Sequence, residues 1–192
     1  PMIRRRRAKR QGWPVSRSHF QIAVLVLAAV LADAASAANT NDIARARDTR
    51  HIAECVRCDL SGADMREGFF QFANLRQANL SNARFDGANM AGVQLHGANL
   101  SNATFVYTNL SGAQFQGGDL RGADFTKAWF NWAWFAGAKL DGANFTGARM
   151  LGAQLQGADL SKVVGLTPGQ LRSACGDAMT KLPPGIEPPR CP

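Results

Sequence analysis

The sequence has few of the residues and motifs on which catalysis depends. Only three histidines occur in 192 residues, and neither a phosphate-binding loop, a zinc-protease helix nor a nucleophile elbow is present. His96 has no nucleophile or carboxylate cluster beside it in the sequence. We therefore interpret the protein as a non-enzyme and expect no cofactor and no metal.

A hydrophobic run long enough for a typical membrane-spanning helix is also missing. The apolar stretch 20–32 has 13 residues, whereas a spanning helix needs about 20. It follows a basic segment and precedes Ala35-Ser36-Ala37, which is the order of an export signal. The pattern predicts a signal peptide over residues 1–37, cleaved after Ala37, and a periplasmic or secreted protein of the bacterial envelope. Membrane contact is expected only if this segment is not cleaved.

The formal net charge of +8 does not indicate a nucleic-acid-binding protein. Seven of the 22 basic residues but only one of the 14 acidic residues lie in residues 1–37. The rest of the chain carries 15 basic and 13 acidic residues, a charge of +2, and has no strong field to attract DNA. We expect no nucleic-acid partner.

What the sequence does contain is a five-residue repeat. Every fifth residue from Leu60 to Leu160 is Leu, Phe or Met, and Ala occurs 16 times at the position two residues before these anchors. Helices place apolar residues three and four apart and half-buried strands place them two apart, so neither explains this period. Leu occupies every twentieth position from 60 to 160, which indicates a stack with a 20-residue unit.

The consensus Ala-(Asn/Asp)-(Leu/Phe)-x-Gly, as in "ANLSN", "ADFTK" and "ANFTG", resembles the pentapeptide-repeat family. The resemblance covers residues 55–163. It implies an all-β solenoid, a right-handed quadrilateral β-helix of about five coils in which four pentads form one coil and two apolar positions of each pentad point inward. Glycine at the end of most pentads suits the corners.

The flanking segments predict short helical caps at both ends of the solenoid, which would otherwise expose unpaired backbone. Residues 38–54 are the predicted N-terminal cap, with Asn41 as the N-cap residue of a helix. Residues 164–192 are the predicted C-terminal cap. There, Thr167 and Pro168 indicate the start of a short helix, and a proline-rich, extended tail follows it.

Four cysteines in an exported chain indicate two disulfides, for which three pairings exist. Cys55 and Cys58 fall on inward positions of the repeat, so we predict the pairs Cys55–Cys58 and Cys175–Cys191. One alternative is a zinc site, which requires the two pairs to meet although the rod separates them. The other is a Cys-x-x-Cys redox motif, which is typical of a helix start in a βαβ unit. A periplasmic redox or metal protein is thus an alternative function.

Several large apolar residues occupy outward positions that the repeat normally gives to polar residues or glycine. Most of them belong to the third side of the predicted square, whose anchors occur at every twentieth position from 70. An exposed apolar patch marks an interaction surface, and the alternative is that the caps cover it or that the rings lie against the corners. We interpret these residues as a site for a protein partner or for self-association: Phe69, Phe72, Trp129, Trp132, Trp134 and Leu151.

The leading functional interpretation is an exported, non-enzymatic structural or protein-binding module. The resemblance also points to quinolone-resistance pentapeptide proteins, which mimic duplex DNA and bind DNA gyrase. Such proteins need a cytoplasmic location and a strongly acidic rod, whereas residues 56–163 here carry nine basic and eight acidic side chains. The export signal and the near-neutral rod disfavour this alternative.

Overall fold

The computed structural model describes residues 39–47, 54–187, 189 and 191. The predicted signal peptide and its cleavage site lie outside the described residues, as do residues 48–53 of the predicted N-terminal cap. Within the described part of the chain, no helix combines the length and the apolar character that crossing a bilayer requires.

Parallel backbone bridges between residues 20 positions apart hold the chain in a solenoid. The series begins at Glu54↔Asn74 and repeats at every fifth residue as far as Asn144↔Val164. Each strand is reduced to a single bridging residue, so a 20-residue coil has four short sides. N–H···O bonds to the neighbouring coil accompany the bridges, such as the 2.6 Å bond that Leu80 N–H donates to the carbonyl of residue 99.

Every coil turns four corners of the same backbone conformation. In one of them Ala63 N–H donates to the carbonyl of Leu60 at 3.1 Å, and the third residue of the turn, Gly62, has a φ of 69°. Every fifth residue from 57 to 157 likewise has a positive φ, which glycine adopts without steric cost. Glycine therefore suits most corners, as predicted, but nine of these corner residues are not glycine.

The five-residue anchors form the core. All residues at every fifth position from Leu60 to Leu160 are at most 3% exposed, which confirms the predicted inward register. Rings of successive coils stack: the centroids of Phe85 and Phe105 lie 5.3 Å apart, and those of Phe105 and Phe125 lie 5.1 Å apart. Burial of each such side chain contributes roughly 1.5–3 kcal/mol, so the interior of the solenoid drives its formation.

Helix α1 spans Thr40–Ala46 and precedes the first coil. The prediction of Asn41 as its N-cap is wrong, because Asn39 is the N-cap and its side chain accepts a 2.9 Å hydrogen bond from Asn41 N–H. Asn39 N–H donates to the carbonyl of Asp59 at 3.1 Å, which fixes the start of the helix against the solenoid. Asp42 of α1 also accepts a 2.9 Å bond from Asp59 N–H.

Helix α2 spans Pro168–Leu171, with Thr167 as the N-cap and Pro168 in its first turn, as the sequence predicts. The side chain of Gln170 accepts a 2.9 Å bond from Thr167 N–H. The same amide donates to the carbonyls of Phe145 and Ala148 at 2.8 and 3.0 Å. These bonds attach α2 to backbone groups of the solenoid.

The cysteines pair at opposite ends of the solenoid. The structure joins Cys55 to Cys58, with Cα atoms 5.3 Å apart, at buried positions of the first coil. It joins Cys175 to Cys191, with Cα atoms 4.5 Å apart, in the C-terminal segment. Cys175 itself bridges to Gln154 of the last coil, so the second pair links the tail to the solenoid.

Candidate interaction surface

The third side of the solenoid consists of five stretches that the bridges set next to one another. We number them rows 1 to 5 in chain order: 68–72, 88–92, 108–112, 128–132 and 148–152. Their central contacts are the successive bridges Phe69↔Asn89, Asn89↔Asn109, Asn109↔Trp129 and Trp129↔Arg149. Residues up to 80 positions apart in the sequence therefore share one face.

The large apolar residues that the sequence singles out all lie at the surface. The described part of the chain leaves them open, and those of the third side occupy rows 1, 4 and 5. Trp134 belongs to the fourth side, whose anchors occur at every twentieth position from 75. The exposed fractions are 68% for Phe69, 61% for Phe72, 41% for Trp129, 61% for Trp132, 49% for Trp134 and 52% for Leu151.

Phe72 and Trp132 sit at corners and have φ values of 58° and 61°. Their rings lean along the rod toward the next row. The Phe72 ring fills the space that a Cβ atom at Gly92 would occupy, and the Trp132 ring does the same at Gly152. The twenty-residue scheme alone would set Trp132 between Gly112 and Gly152. In the structure only Gly92 backbone lies within 4 Å of a Cβ built at Gly112, so the ring covers Gly152 alone.

Trp129 lies at the centre of row 4, and the guanidinium of Arg149 packs against its ring. The Cζ atom of Arg149 is 5.2 Å from the ring centroid, a cation–π contact that contributes about 0.5–1 kcal/mol at an exposed site. The contact places the positive charge of row 5 beside an aromatic face.

Between residues 68 and 157, charged residues are nearly absent from the third and fourth sides. Arg149 is the one charged residue in rows 1 to 5, and Arg76 is the one in the corresponding stretches of the fourth side, from 73–77 to 153–157. The other two sides carry the charges, and much of their charge is paired. The pairs are Asp64–Arg66 at 2.5 Å, Asp119–Arg121 at 2.6 Å, Asp141–Lys162 at 3.0 Å and Asp159–Lys181 at 3.2 Å.

Two of these pairs lower the pKa of their carboxylates. The side-chain hydrogen bond from Arg66 lowers the pKa of Asp64, and that from Arg121 lowers the pKa of Asp119. Both carboxylates are therefore ionised and neutralised at pH 7. The charged sides present balanced pairs, which differ from the uniform acidic surface of a DNA mimic.

Among the described residues, the side chains that could take part in catalysis or bind a metal do not form a cluster. Burial, followed by the charge of Arg76, lowers the pKa of His96 on the fourth side, so this imidazole is neutral at pH 7. Its Nδ1 atom and the Oε1 atom of Gln116 are buried without a hydrogen-bond partner among the described residues. Within the same part of the chain, no three His, Cys, Asp or Glu side chains come close enough to hold a metal ion.

Sequence reasoning missed one exposed aromatic residue. Tyr107, 59% exposed, lies at a corner of the second side with a φ of 59°. Lys127 from the next coil extends over it, with Nζ 2.7 Å from the hydroxyl and 4.9 Å from the ring centroid. Its position two residues after an anchor is the one that Phe72 and Trp132 occupy, and that shared position is the signal in the sequence.

Comparison with known families agrees with the repeat geometry. The family described as "Pentapeptide repeat region" matches residues 70–145, and the one described as "Pentapeptide repeats (8 copies)" matches residues 130–164. Residues 70–164 are therefore repeats of the pentapeptide-repeat family. A search of curated proteins found no match to this chain.

Solved structures of similar chains are pentapeptide-repeat proteins too. One from the thylakoid lumen of Arabidopsis thaliana is 30% identical, with 51% of this chain and 65% of that chain covered and a TM-score of 0.45. HetL from Nostoc sp. strain PCC 7120, involved in heterocyst differentiation regulation, is 26% identical, with 65% and 64% covered and a TM-score of 0.27. The plasmid-mediated fluoroquinolone resistance protein QnrB1 is 18% identical, with 71% and 77% covered and a TM-score of 0.30. The chain spans slightly less than two thirds of the first two.

Proposed function

We propose that this pentapeptide-repeat protein is an exported, non-enzymatic binding module. The solenoid is the rigid support, and the third side is the contact surface for a protein partner or a second copy. One observation carries the proposal: Phe72 and Trp132 are bulky, exposed residues in a left-handed backbone conformation that glycine adopts at most other corners.

The strain of the left-handed conformation offsets what these exposed aromatic rings contribute to the stability of the fold. For a residue with a Cβ atom this conformation costs roughly 1–2 kcal/mol relative to the right-handed region, and such strain is concentrated at functional sites. Glycine at 72 and 132 would complete the same turn without that cost. Aromatic side chains at these corners therefore favour a role outside folding.

The composition of the third side fits a contact surface. The centres of protein interfaces are depleted of charged residues and enriched in aromatic residues and Arg. Rows 1 to 5 have this character, with four exposed aromatic residues and a single charge, Arg149. With helical segments at both ends of the solenoid, we infer that its sides are what is left for association.

Export is supported by the sequence of residues 1–37 and by the cysteines. Disulfides persist in oxidising compartments such as the periplasm and are rare in the cytosol. Pairing of all four cysteines is compatible with an oxidising envelope compartment and would be unusual in the cytosol. Fractionation of cells that express the full chain tests this part, since a protein retained in the cytoplasm with free thiols would contradict it.

Photo-crosslinking tests the contact surface directly. A photoreactive phenylalanine analogue at Trp129 should give discrete cross-linked products in the envelope fraction. The same analogue at Lys139, an exposed bridging position on the first side, is the matched control. Equal product patterns from both positions would contradict the proposal.

Gyrase inhibition is not carried over from QnrB1, because a likeness at 18% identity concerns the fold alone. The acidic surface that this activity needs has no counterpart in the near-balanced charges of residues 56–163. A supercoiling assay with the purified protein should therefore show no inhibition of gyrase.

A further inference from the structure

We propose that the third side pairs face to face with the third side of a second copy, with the two rods antiparallel and all five rows overlapping. The inference rests on the proposed function in one respect, namely that the third side is the contact surface. It adds the identity of the partner and the register of the pairing.

The third side has bulky rows at 1 and 4 and two flat rows between them. Row 1 carries Phe69 and Phe72, and row 4 carries Trp129 and Trp132. Rows 2 and 3 present small or short side chains. These are Asn89, Ala91 and Gly92 in row 2, and Asn109, Ser111 and Gly112 in row 3.

A two-fold axis across the face at row 3 reverses the order of the rows in the second copy. Row 1 then faces row 5, row 2 faces row 4, and row 3 faces itself, as an isologous contact requires. At the bridging column, Trp129 faces Asn89 of the second copy. Phe69 faces Arg149 of the second copy, which sets a guanidinium against an aromatic ring.

The corner rings also interdigitate in this register. The Phe72 ring lies on row 2 and the Trp132 ring lies on row 5, because each leans onto the glycine of the following row. Row 2 of one copy, which carries the Phe72 ring, faces row 4 of the second copy, whose own Trp132 ring lies over row 5. Row 5 of one copy, which carries the Trp132 ring, faces row 1 of the second copy, whose own Phe72 ring lies over row 2. A parallel pairing in the same register would set Phe69 and Trp129 each against its own counterpart and would place the corner rings at opposite edges of the face, so only the antiparallel pairing interdigitates the corner rings.

The charge and the area of the third side determine how strongly two copies can associate. Each copy contributes one charged residue to the face, Arg149, and the two-fold sets it at opposite ends, so like charges do not meet. Stacked coils at about 4.8 Å and sides of three extended residues give a face of roughly 20–25 by 10 Å. Such a face is smaller than the ~800 Å² per partner of a standard stable interface. The pairing is therefore weak and concentration-dependent, with the aromatic residues as its anchors.

Ser111 allows a test that depends on the symmetry. It lies in row 3 and faces Ser111 of the second copy across the axis. Its turn position holds Arg66, Arg76 and Arg121 in other coils, so the fold accommodates a long charged side chain there. Ser111→Glu and Ser111→Lys should each place like charges face to face and prevent pairing. An equimolar mixture of the two variants should restore it as a mixed dimer.

Sedimentation equilibrium of protein purified after expression of the full chain measures the outcome. We expect the wild-type mass to rise toward that of a dimer with concentration, each Ser111 variant to weaken association at least tenfold, and the mixture to recover it. Ala136→Glu, at the equivalent turn position of the fourth side, is the control and should associate like the wild type. Circular dichroism melting of all variants checks that folding is unchanged.

Three results would overturn the pairing: a wild-type protein that stays monomeric at millimolar concentration, a dimer that neither Ser111 variant weakens, or a mixture that does not recover. A monomer that still gives discrete cross-links from position 129 would overturn this inference and leave the proposed function intact. Cross-links only to a second copy, with recovery in the mixture, would support both.

Discussion

Replacement of Trp132 by glycine should barely change the stability of the solenoid. Trp132 is 61% exposed, so it hides about 80 Å² of the 150–250 Å² that a tryptophan buries when enclosed. At ~25 cal/mol per Å² this area is worth about 2 kcal/mol, and less against a compact unfolded chain. Glycine relieves roughly 1–2 kcal/mol of left-handed strain. The two effects nearly cancel, and we expect the free energy of unfolding to change by less than about 1 kcal/mol.

Urea unfolding followed by circular dichroism measures this difference. The matched control is Phe130→Ala in the same row, since Phe130 is fully buried and its truncation should cost about 3–5 kcal/mol. A loss at Trp132→Gly that approaches the loss at Phe130→Ala would refute the reasoning. It would show that the exposed ring is a packing residue of the fold.

Three further predictions concern the fold around this surface. A Cβ atom at Gly68 would meet the ring of Phe70, so Gly68→Ala should cost about 1–3 kcal/mol in urea unfolding, and adding Phe70→Leu should recover part of the loss; an unchanged Gly68→Ala variant would contradict this packing. The side-chain hydrogen bond from Ser161 contributes most to lowering the pKa of Asp159 to about 2, so its carboxylate adds stability above about pH 4 that is lost as the pH falls toward 2. Asp159→Asn, which keeps an acceptor for Ser161, should remove this dependence and at most about 1 kcal/mol at pH 7, because the side chain is solvent-screened; unchanged acid melting curves would argue against it. Cys191→Ser should weaken the C-terminal segment by about 3 kcal/mol, seen as faster hydrogen exchange at Gly176, whose N–H donates to the carbonyl of Pro189 at 3.0 Å; exchange equal to the wild type would exclude a stabilising role for that disulfide.

The positions of the inward-facing residues could be predicted from the sequence, because burial dictates their five-residue period. A slip of one residue would expose Leu60, Leu80 and every later anchor together, so the pattern is strict. The 20-residue stacking follows from the Leu column in the same way. Burial and bridging of these residues agree with both expectations.

The arrangement of the outward-facing side chains could not be predicted in this way, because no period in the sequence specifies the directions in which they point. The lean of Trp132 onto Gly152, rather than toward Gly112, depends on the side-chain torsions of Trp132 and could not be read from spacing. The N-cap of α1 at Asn39 depends on a backbone bond to Asp59. Arg47, which donates to the carbonyl of Asp64 across 17 positions, gave no local signal, and burial lowers the pKa of its guanidinium.

The register of the third side is the claim on which the rest depends, and scalar couplings across hydrogen bonds measure it directly. In a long-range HNCO experiment on the labelled protein, Leu110 N–H should correlate with the carbonyl of Trp129, a bond of 2.8 Å, and Trp132 N–H with that of Leu151, also 2.8 Å. Correlations to carbonyls four residues earlier, or to any residue other than the one 19 positions later, would contradict the account.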